Sequence, residues 1–255
     1  PDALRAKGHT TIPEEGIWGV TVPGCVEGWA QLHRKYGKLP WADLFAPAIH
    51  YARNGYPVTE WIASAWQAGV PKLTNDDNAR RVFLRDGLAP KVGELFRNPS
   101  LAAALELIAR QGPDAFYKGD IAKAIVKTAR RHGGPLAAAD LASYQAEWVE
   151  PISTEYRGWR VFELPPNSQG LAALSMLNLM ERFDLPSYDP FSASAFHLKI
   201  EAQKLAYADL NRYVGEPRTS RIPTAHLISK PYAAARAGLI NPDKAARSEE
   251  RRVGK

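Results

Sequence analysis

Apolar residues recur at helical spacing through the first 145 residues of this chain, and glycine or proline punctuates the runs. Val26, Trp29 and Leu32 lie on one face of a helix that should reach Tyr36 and end at Gly37. The same reasoning predicts helices over residues 41–54, 59–66, 98–111 and 121–132, and either a short turn of helix or a loop from Asp140. We therefore predict a helical lobe over about residues 23–145, preceded by a short strand over residues 16–22.

The pattern changes at Trp148. Residues 148–154 and 160–164 predict two strands joined by a turn, and Pro165-Pro166 ends the second strand. Two helices should follow, a strongly apolar one over residues 170–183 and the longest of the chain over residues 192–213. We interpret residues 146–246 as the start of an α/β core that continues the lobe, not as an independent second domain.

Several side chains have a structural interpretation at this point. His197, Glu201 and Lys204 follow one another on the long helix, which is typical of surface ion pairs. Cys25 should be a small buried residue, since no motif around it suggests a nucleophile. The seven tryptophans are more typical of a core than of a ligand platform.

Composition restricts the classes of partner and cofactor. The net charge is +6, from 33 basic and 27 acidic residues, but the bases are scattered, so no nucleic-acid partner is predicted. No apolar run approaches the ~20 residues that a membrane helix needs. The single cysteine rules out an internal disulfide, and no two of the six histidines stand at the spacing of a helical metal site. We predict no metal and no cofactor.

The two ends of the chain suggest that the sequence is a piece of a longer one. Residues 247–255 carry six charges and one apolar side chain, and they match the translation of a common sequencing adapter, so we interpret them as an artefact. Pro1 stands where an initiator methionine would be expected, so the natural N-terminus should lie upstream. The compartment is left open between periplasmic or secreted and cytoplasmic.

Short motifs follow one another in a fixed order from Gly16 to Asp243. They include Thr21-Val22-Pro23-Gly24, Tyr36-Gly37-Lys38-Leu39-Pro40, Ala46-Pro47-Ala48-Ile49, Gly55-Tyr56-Pro57-Val58, Gln111 to Gly119, Thr154 to Gly158, Leu164-Pro165-Pro166 and Lys204 to Asp209. Any one of them is weak evidence, but the collinear set resembles the large subunit of the γ-glutamyltranspeptidase family.

The resemblance implies an α+β fold, namely part of the α/β/β/α sandwich of N-terminal-nucleophile hydrolases, of which this chain is an incomplete, helix-rich large-subunit portion. It implies a precursor that cuts itself, so that the new N-terminal Thr of a small subunit becomes the nucleophile. That Thr lies beyond this chain, which therefore holds no catalytic residue. The implied partners are the small subunit and a small γ-glutamyl amide such as glutathione, whose acyl group passes to water or an amino acid.

The sequence departs from the family at the predicted turn after the second strand. Asn167-Ser168-Gln169-Gly170 stands where transpeptidases carry a Pro-Ser-Ser-Gly-Gly type run, and its form is closer to acylase-type members. The run that supplies the arginine for the substrate α-carboxylate is also missing. We predict that Asn167, Ser168, Gln169 and Gly170 line the substrate pocket.

Two alternatives stay open. Ser168 could be a hydrolase nucleophile, but Pro166 stands where that motif needs glycine, so a helix-capping role is favoured. The protein could act on a non-glutamyl amide as an acylase-type amidohydrolase, or it could be a non-catalytic helical binding or scaffold protein.

Overall fold

The computed structural model describes residues 2–13 and 15–246. It divides the chain into two compact units, Pro1–Glu147 (unit 1) and Trp148–Lys255 (unit 2). The predicted adapter segment, residues 247–255, lies outside the described residues.

Unit 1 is built almost entirely of helices. They are α1 (Asp2–Ala6), α2 (Cys25–Tyr36), α3 (Ala46–Asn54), α4 (Glu60–Thr74), α5 (Asp77–Phe83), α6 (Pro99–Gln111), α7 (Asp114–Tyr117), α8 (Asp120–Arg131) and α9 (Ala138–Ala142). Short 3₁₀ helices span Ile17–Gly19 and Trp41–Phe45. Two very short antiparallel strands, β1 (Tyr56–Pro57) and β2 (Leu95–Phe96), complete the unit.

The boundaries of α6 follow from its sequence. The Asn98 side chain accepts a hydrogen bond from the backbone N–H of Leu101 at 3.0 Å, and Pro99 occupies the first turn, where no N–H is needed. Gly112 ends the helix with φ 73°, a conformation that favours glycine. The predicted start and end of this helix are therefore confirmed.

Tyr117 joins the first turn of α2 to α7. Its hydroxyl donates to the carbonyl of Pro23 at 2.7 Å and accepts from the N–H of Glu27 at 3.2 Å. Its ring stacks on Tyr144, with 5.7 Å between centroids. Burial raises the pKa of this phenol, so it stays neutral and can hold both bonds. The core around it consists of the buried residues Val26, Phe45, Ile108, Ala122, Val126 and Leu141.

Three details of unit 1 differ from the sequence-based expectation. Residues 16–22 form no strand: a 3₁₀ helix occupies Ile17–Gly19, and no described strand lies beside the extended residues that follow. Residues 41–54 form a 3₁₀ helix and then α3, because Pro47 lies in the first turn of α3 and supplies no N–H. Helix α4 continues past residue 66 to Thr74, because it accommodates both Gly69 and Pro71 in its interior without ending at either.

Unit 2 begins with a β-hairpin and continues with helices. Its elements are β3 (Ile152–Tyr156), β4 (Trp159–Glu163), α10 (Gly170–Met180), α11 (Ala193–Tyr213), α12 (Thr224–Leu227) and α13 (Lys230–Ala237). The strands pair antiparallel from Ile152↔Glu163 to Tyr156↔Trp159. Arg157 and Gly158 connect them with φ of 49° and 85°, as a two-residue hairpin turn requires. The hairpin is confirmed, although its first strand starts at Ile152 because pairing ends opposite Glu163.

A buried polar network lies where the hairpin meets α10. Asn178 is fully buried, and its carbonyl oxygen accepts bonds from the Thr154 hydroxyl and the Lys230 ammonium, both at 2.7 Å. Its amide donates to the carbonyl of Ile228 at 2.7 Å. Lys230 also donates to the Glu155 carbonyl and to the Glu181 carboxylate. One lysine thus links β3, α10 and the start of α13.

Three assignments of side chains to core or surface were wrong. Cys25 is exposed, because it occupies the first position of α2 and only Val26 beside it points into the core. Glu201 is buried rather than part of a surface pair, and it accepts from Lys204 and from the N–H of Ala246 at 3.2 Å. None of the seven tryptophans is fully buried: four are exposed, namely Trp29, Trp61, Trp148 and Trp159, and of the three partly buried ones Trp41 packs against the core of unit 1.

We expect Lys230→Met to lower the free energy of unfolding by about 1–3 kcal/mol, since it leaves a buried carbonyl and a carboxylate without their charged donor. Lys123→Met is the matched control, because Lys123 pairs with Asp120 on the exposed surface of α8 and should leave stability unchanged. Urea unfolding measures both. Equal stability of the two variants would contradict the role of the network.

Tyr232 predicts a loss of stability at alkaline pH. Its hydroxyl donates to Asp209 at 3.1 Å, and burial together with that carboxylate raises the pKa of Tyr232 to about 12. The folded state therefore holds the proton more tightly than the unfolded state, so this contribution is complete below pH 10 and is lost as the pH rises towards 12. Denaturation across this range should show a falling free energy of unfolding, with a smaller slope in Tyr232→Phe. The exposed Tyr51→Phe should keep the parent slope.

Candidate functional site

The four predicted pocket residues form the turn between β4 and α10. Ser168 braces this turn: its hydroxyl lies 2.9 Å from the Leu164 carbonyl and 3.1 Å from the Pro165 carbonyl. The same oxygen accepts from the N–H of Gly170 at 3.3 Å. The first N–H of α10 is therefore satisfied by the preceding turn. The N-cap position itself is Gln169, whose side chain makes no capping bond, so Ser168 lies one residue before the expected capping position.

The two amide side chains of the turn lie at the surface. Gln169 is held from α11, where the Tyr207 hydroxyl donates to its Oε1 at 3.3 Å. Asn167 is exposed and has no hydrogen-bond partner among residues 2–13 and 15–246. The turn thus presents one oriented amide and one available amide side by side, which suits recognition of a polar amide substrate.

Gly170 allows α10 to start against the end of β4. A Cβ at this position would lie 2.7 Å from the Cβ of Glu163 and 2.8 Å from the Leu164 carbonyl oxygen. Such distances are shorter than any stable contact, so a side chain would push the helix away from the strand. The glycine therefore sets where the turn lies relative to the hairpin.

The turn has no catalytic machinery of its own. A serine nucleophile needs a base within hydrogen-bond reach, whereas the Ser168 hydroxyl bonds only to main-chain groups in the part of the chain that the structure describes. In the same described part, no cluster of three His, Cys, Asp or Glu side chains could hold a metal ion. None of the described helices is both long and apolar enough to span a bilayer.

Sequence reasoning missed the polar network on α10, the helix that follows the turn. Asn178 and Ser175 are buried on α10, an otherwise apolar helix. Ser175 donates to the Leu227 carbonyl at 3.2 Å, and Glu181 at the end of the helix accepts from the N–H of Arg157 at 3.0 Å. The hydrogen bond from the Arg157 N–H, together with the bond and charge of the Lys230 ammonium, lowers the pKa of Glu181. A polar residue inside an apolar helix was the available signal, since such groups need buried partners.

Comparison with known proteins finds a family match over almost the whole chain. The family model described as Gamma-glutamyltranspeptidase matches residues 1–254. The match includes the segment that we interpret as an adapter translation, and that interpretation stays a prediction. A curated relative, the glutathione hydrolase proenzyme of Escherichia coli strain K12, is 38% identical over 235 residues, which cover 91% of this chain and 40% of the relative.

Two solved structures share the fold. The cephalosporin acylase of Bacillus halodurans is 42% identical with a TM-score of 0.85, covering 94% of this chain and 46% of that one. The γ-glutamyltranspeptidase of Helicobacter pylori is 31% identical with a TM-score of 0.84, and the match covers 95% of this chain and 70% of that one. The predicted fold class, an incomplete helix-rich part of an N-terminal-nucleophile hydrolase large subunit, is confirmed. The chain spans less than half the length of the curated relatives that it matches.

The close contact at Gly170 gives a direct test of the turn. We expect Gly170→Ala to lower the free energy of unfolding by about 1–3 kcal/mol, because Glu163 or the backbone of Leu164 must move. Gly28→Ala in α2 is the matched control: its new Cβ meets no atom within 4 Å, so it should stabilise the helix by about 0.5–1 kcal/mol. Urea unfolding of both variants measures the difference, and a Gly170→Ala chain as stable as the parent would contradict the packing argument.

Proposed function

The chain belongs to the gamma-glutamyltranspeptidase family, and we propose that it is the large-subunit part of a self-processing precursor that cleaves γ-glutamyl amides such as glutathione. The observation that carries the proposal is the family match over residues 1–254 together with 38% identity to a glutathione hydrolase proenzyme. Within this subunit we propose a helical lobe over about residues 23–145 and the start of an α/β core over about residues 146–246.

The partner is the small subunit from the same precursor, as the proenzyme names of the relatives suggest. Its first residue is a Thr released by self-cleavage. A Thr hydroxyl is a weak nucleophile at neutral pH, and the new α-amine, with an ordinary pKa near 8, can accept its proton. Backbone N–H groups stabilise the oxyanion, a γ-glutamyl enzyme forms, and water or an amino acid takes the acyl group.

The contribution of this chain to the substrate site is the turn Asn167-Ser168-Gln169-Gly170. Its exposed amides can bond to a substrate amide, while Ser168 and Gly170 keep the turn rigid against α10. We assign these four residues to substrate binding and none of them to bond cleavage.

A second substrate class is favoured by a specific observation. The turn has the Asn-x-Gln-Gly form of acylase-type members, and a cephalosporin acylase is 42% identical to this chain. The protein is then an amidohydrolase that takes a non-glutamyl acyl group and transfers it poorly. Both classes use the same N-terminal nucleophile, so the distinction concerns the acyl pocket alone.

Two experiments test the proposal: sequencing the source gene across the codon for Ala246, and expressing the whole reading frame. We expect a precursor that splits into two fragments, the second beginning with Thr, and a Thr→Ala substitution there should leave one uncut chain. The processed protein should hydrolyse a γ-glutamyl anilide, and the 255-residue chain alone should not. A cephalosporin with an amide side chain, assayed in parallel, distinguishes the acylase class.

Three results would contradict the proposal. They are a frame that stops at residue 255, a complete precursor that stays uncut, and turnover by the 255-residue chain above a mock preparation. The first of these would favour the non-catalytic binding or scaffold alternative.

A further inference from the structure

An apolar groove crosses the surface of unit 1 between α2 and the 3₁₀ helix that precedes α3. Helix α2 contributes Trp29, Leu32 and Tyr36, which are 45%, 54% and 61% exposed although they stand on one face. The 3₁₀ helix contributes Trp41, Leu44 and Phe45 from the other side. The cavity between these walls has a volume of about 530 Å³.

We propose that this groove is covered by the part of the same precursor that lies outside these 255 residues, and this inference rests on the proposed function. The chain spans only 40–46% of the E. coli and B. halodurans proteins, so more than half of a protein of that size is available to cover it. Soluble proteins rarely expose a contiguous patch of large apolar side chains, and such patches mark interaction surfaces.

The chemistry of the walls favours a protein surface over a small ligand. The indole N–H of Trp41 already donates to the Ile108 carbonyl at 2.9 Å, and His33 Nε2 lies 2.8 Å from the Leu39 carbonyl. Few polar groups are left to orient a small molecule, which binding pockets normally provide. Aromatic rings in contact with one another, such as Trp41 and Phe45 at 4.8 Å, instead match the apolar centre of a permanent interface.

The ion pair of α2 lies away from the groove. Arg34 pairs with Glu27 at 2.9 Å on the opposite side of the helix from Trp29, Leu32 and Tyr36. The side of α2 that lines the groove is thus the apolar one, as in the centre of a permanent subunit contact. Because the precursor supplies its other part in one copy per chain, burial within it does not depend on concentration.

Thiol labelling of the complete precursor tests the inference. In a Cys25→Ser background, Leu32→Cys and Leu44→Cys place a thiol in the groove, and Lys123→Cys places one on the exposed side of α8. Mass spectrometry of the modified peptides gives each labelling rate with a maleimide. We expect the groove thiols to react about tenfold or more slowly than the Lys123→Cys thiol, since a covered thiol reacts only when the contact opens. In denaturant all three should react alike.

Equal rates in the folded precursor would overturn the inference, and so would protection that disappears on dilution, because that result assigns the groove to a second copy. Hydroxyl-radical oxidation of Trp29 and Tyr36 in the unsubstituted precursor gives the same answer if a cysteine variant misfolds. The same samples show whether the precursor has cut itself. Protection in an uncut precursor would retain the groove assignment and remove the proposed function, whereas exposure in a cut precursor would do the reverse.

Discussion

The carboxamide of Asn178 is the interaction on which unit 2 depends. It is fully buried, so its oxygen and nitrogen must find hydrogen-bond partners inside the protein. Thr154 and Lys230 donate to its oxygen, and the Ile228 carbonyl accepts from its nitrogen. A planar amide satisfied from three directions leaves the hairpin, α10 and the start of α13 little freedom to slide past one another. The apolar core beside it contributes stability but is far less directional.

In unit 1 the phenol of Tyr117 fixes neighbouring elements in the way that the Asn178 amide does in unit 2. Tyr117 donates to one backbone group of the α2 entrance and accepts from another, so the loop ending at Gly24 has a defined path into the helix. In both units an apolar core supplies most of the burial, and one polar side chain specifies the register of the elements around it. The candidate turn inherits its rigidity from this arrangement, because α10 carries both Asn178 and the Gly170 contact with β4.

Local signals predicted most of the elements. The Asn98-Pro99 start of α6 and the Arg157-Gly158 turn are visible in the sequence because each depends on backbone preferences of the residues themselves. The burial of Glu201 and the exposure of Trp29 could not be predicted from the sequence, because both depend on distant partners. Glu201 is buried by the segment that reaches Ala246, and Trp29 lies on a groove whose cover is outside the chain under our proposal. Capping rules predicted Ser168 near the start of α10 but not that Gln169 is the N-cap, and the close approach of Gly170 to Glu163 required the fold.

The hairpin of β3 and β4 has only two strands and leaves large apolar side chains exposed. Two strands alone are marginally stable, and α10 packs against this pair. Trp159 and Phe162 point to opposite faces of β4 and remain 77% and 58% exposed, so large apolar rings are uncovered on both faces of the hairpin. A sandwich of the N-terminal-nucleophile type accounts for both facts, because further strands and a second sheet would pair with the hairpin and cover these rings. Under our proposal, the residues that hold the substrate turn in place are in this chain, while the nucleophile, the oxyanion donors and the remaining strands come from the rest of the precursor. On the same proposal, substrate binding and bond cleavage are encoded in separate segments, and folding has to join them before self-cleavage can create the N-terminal amine.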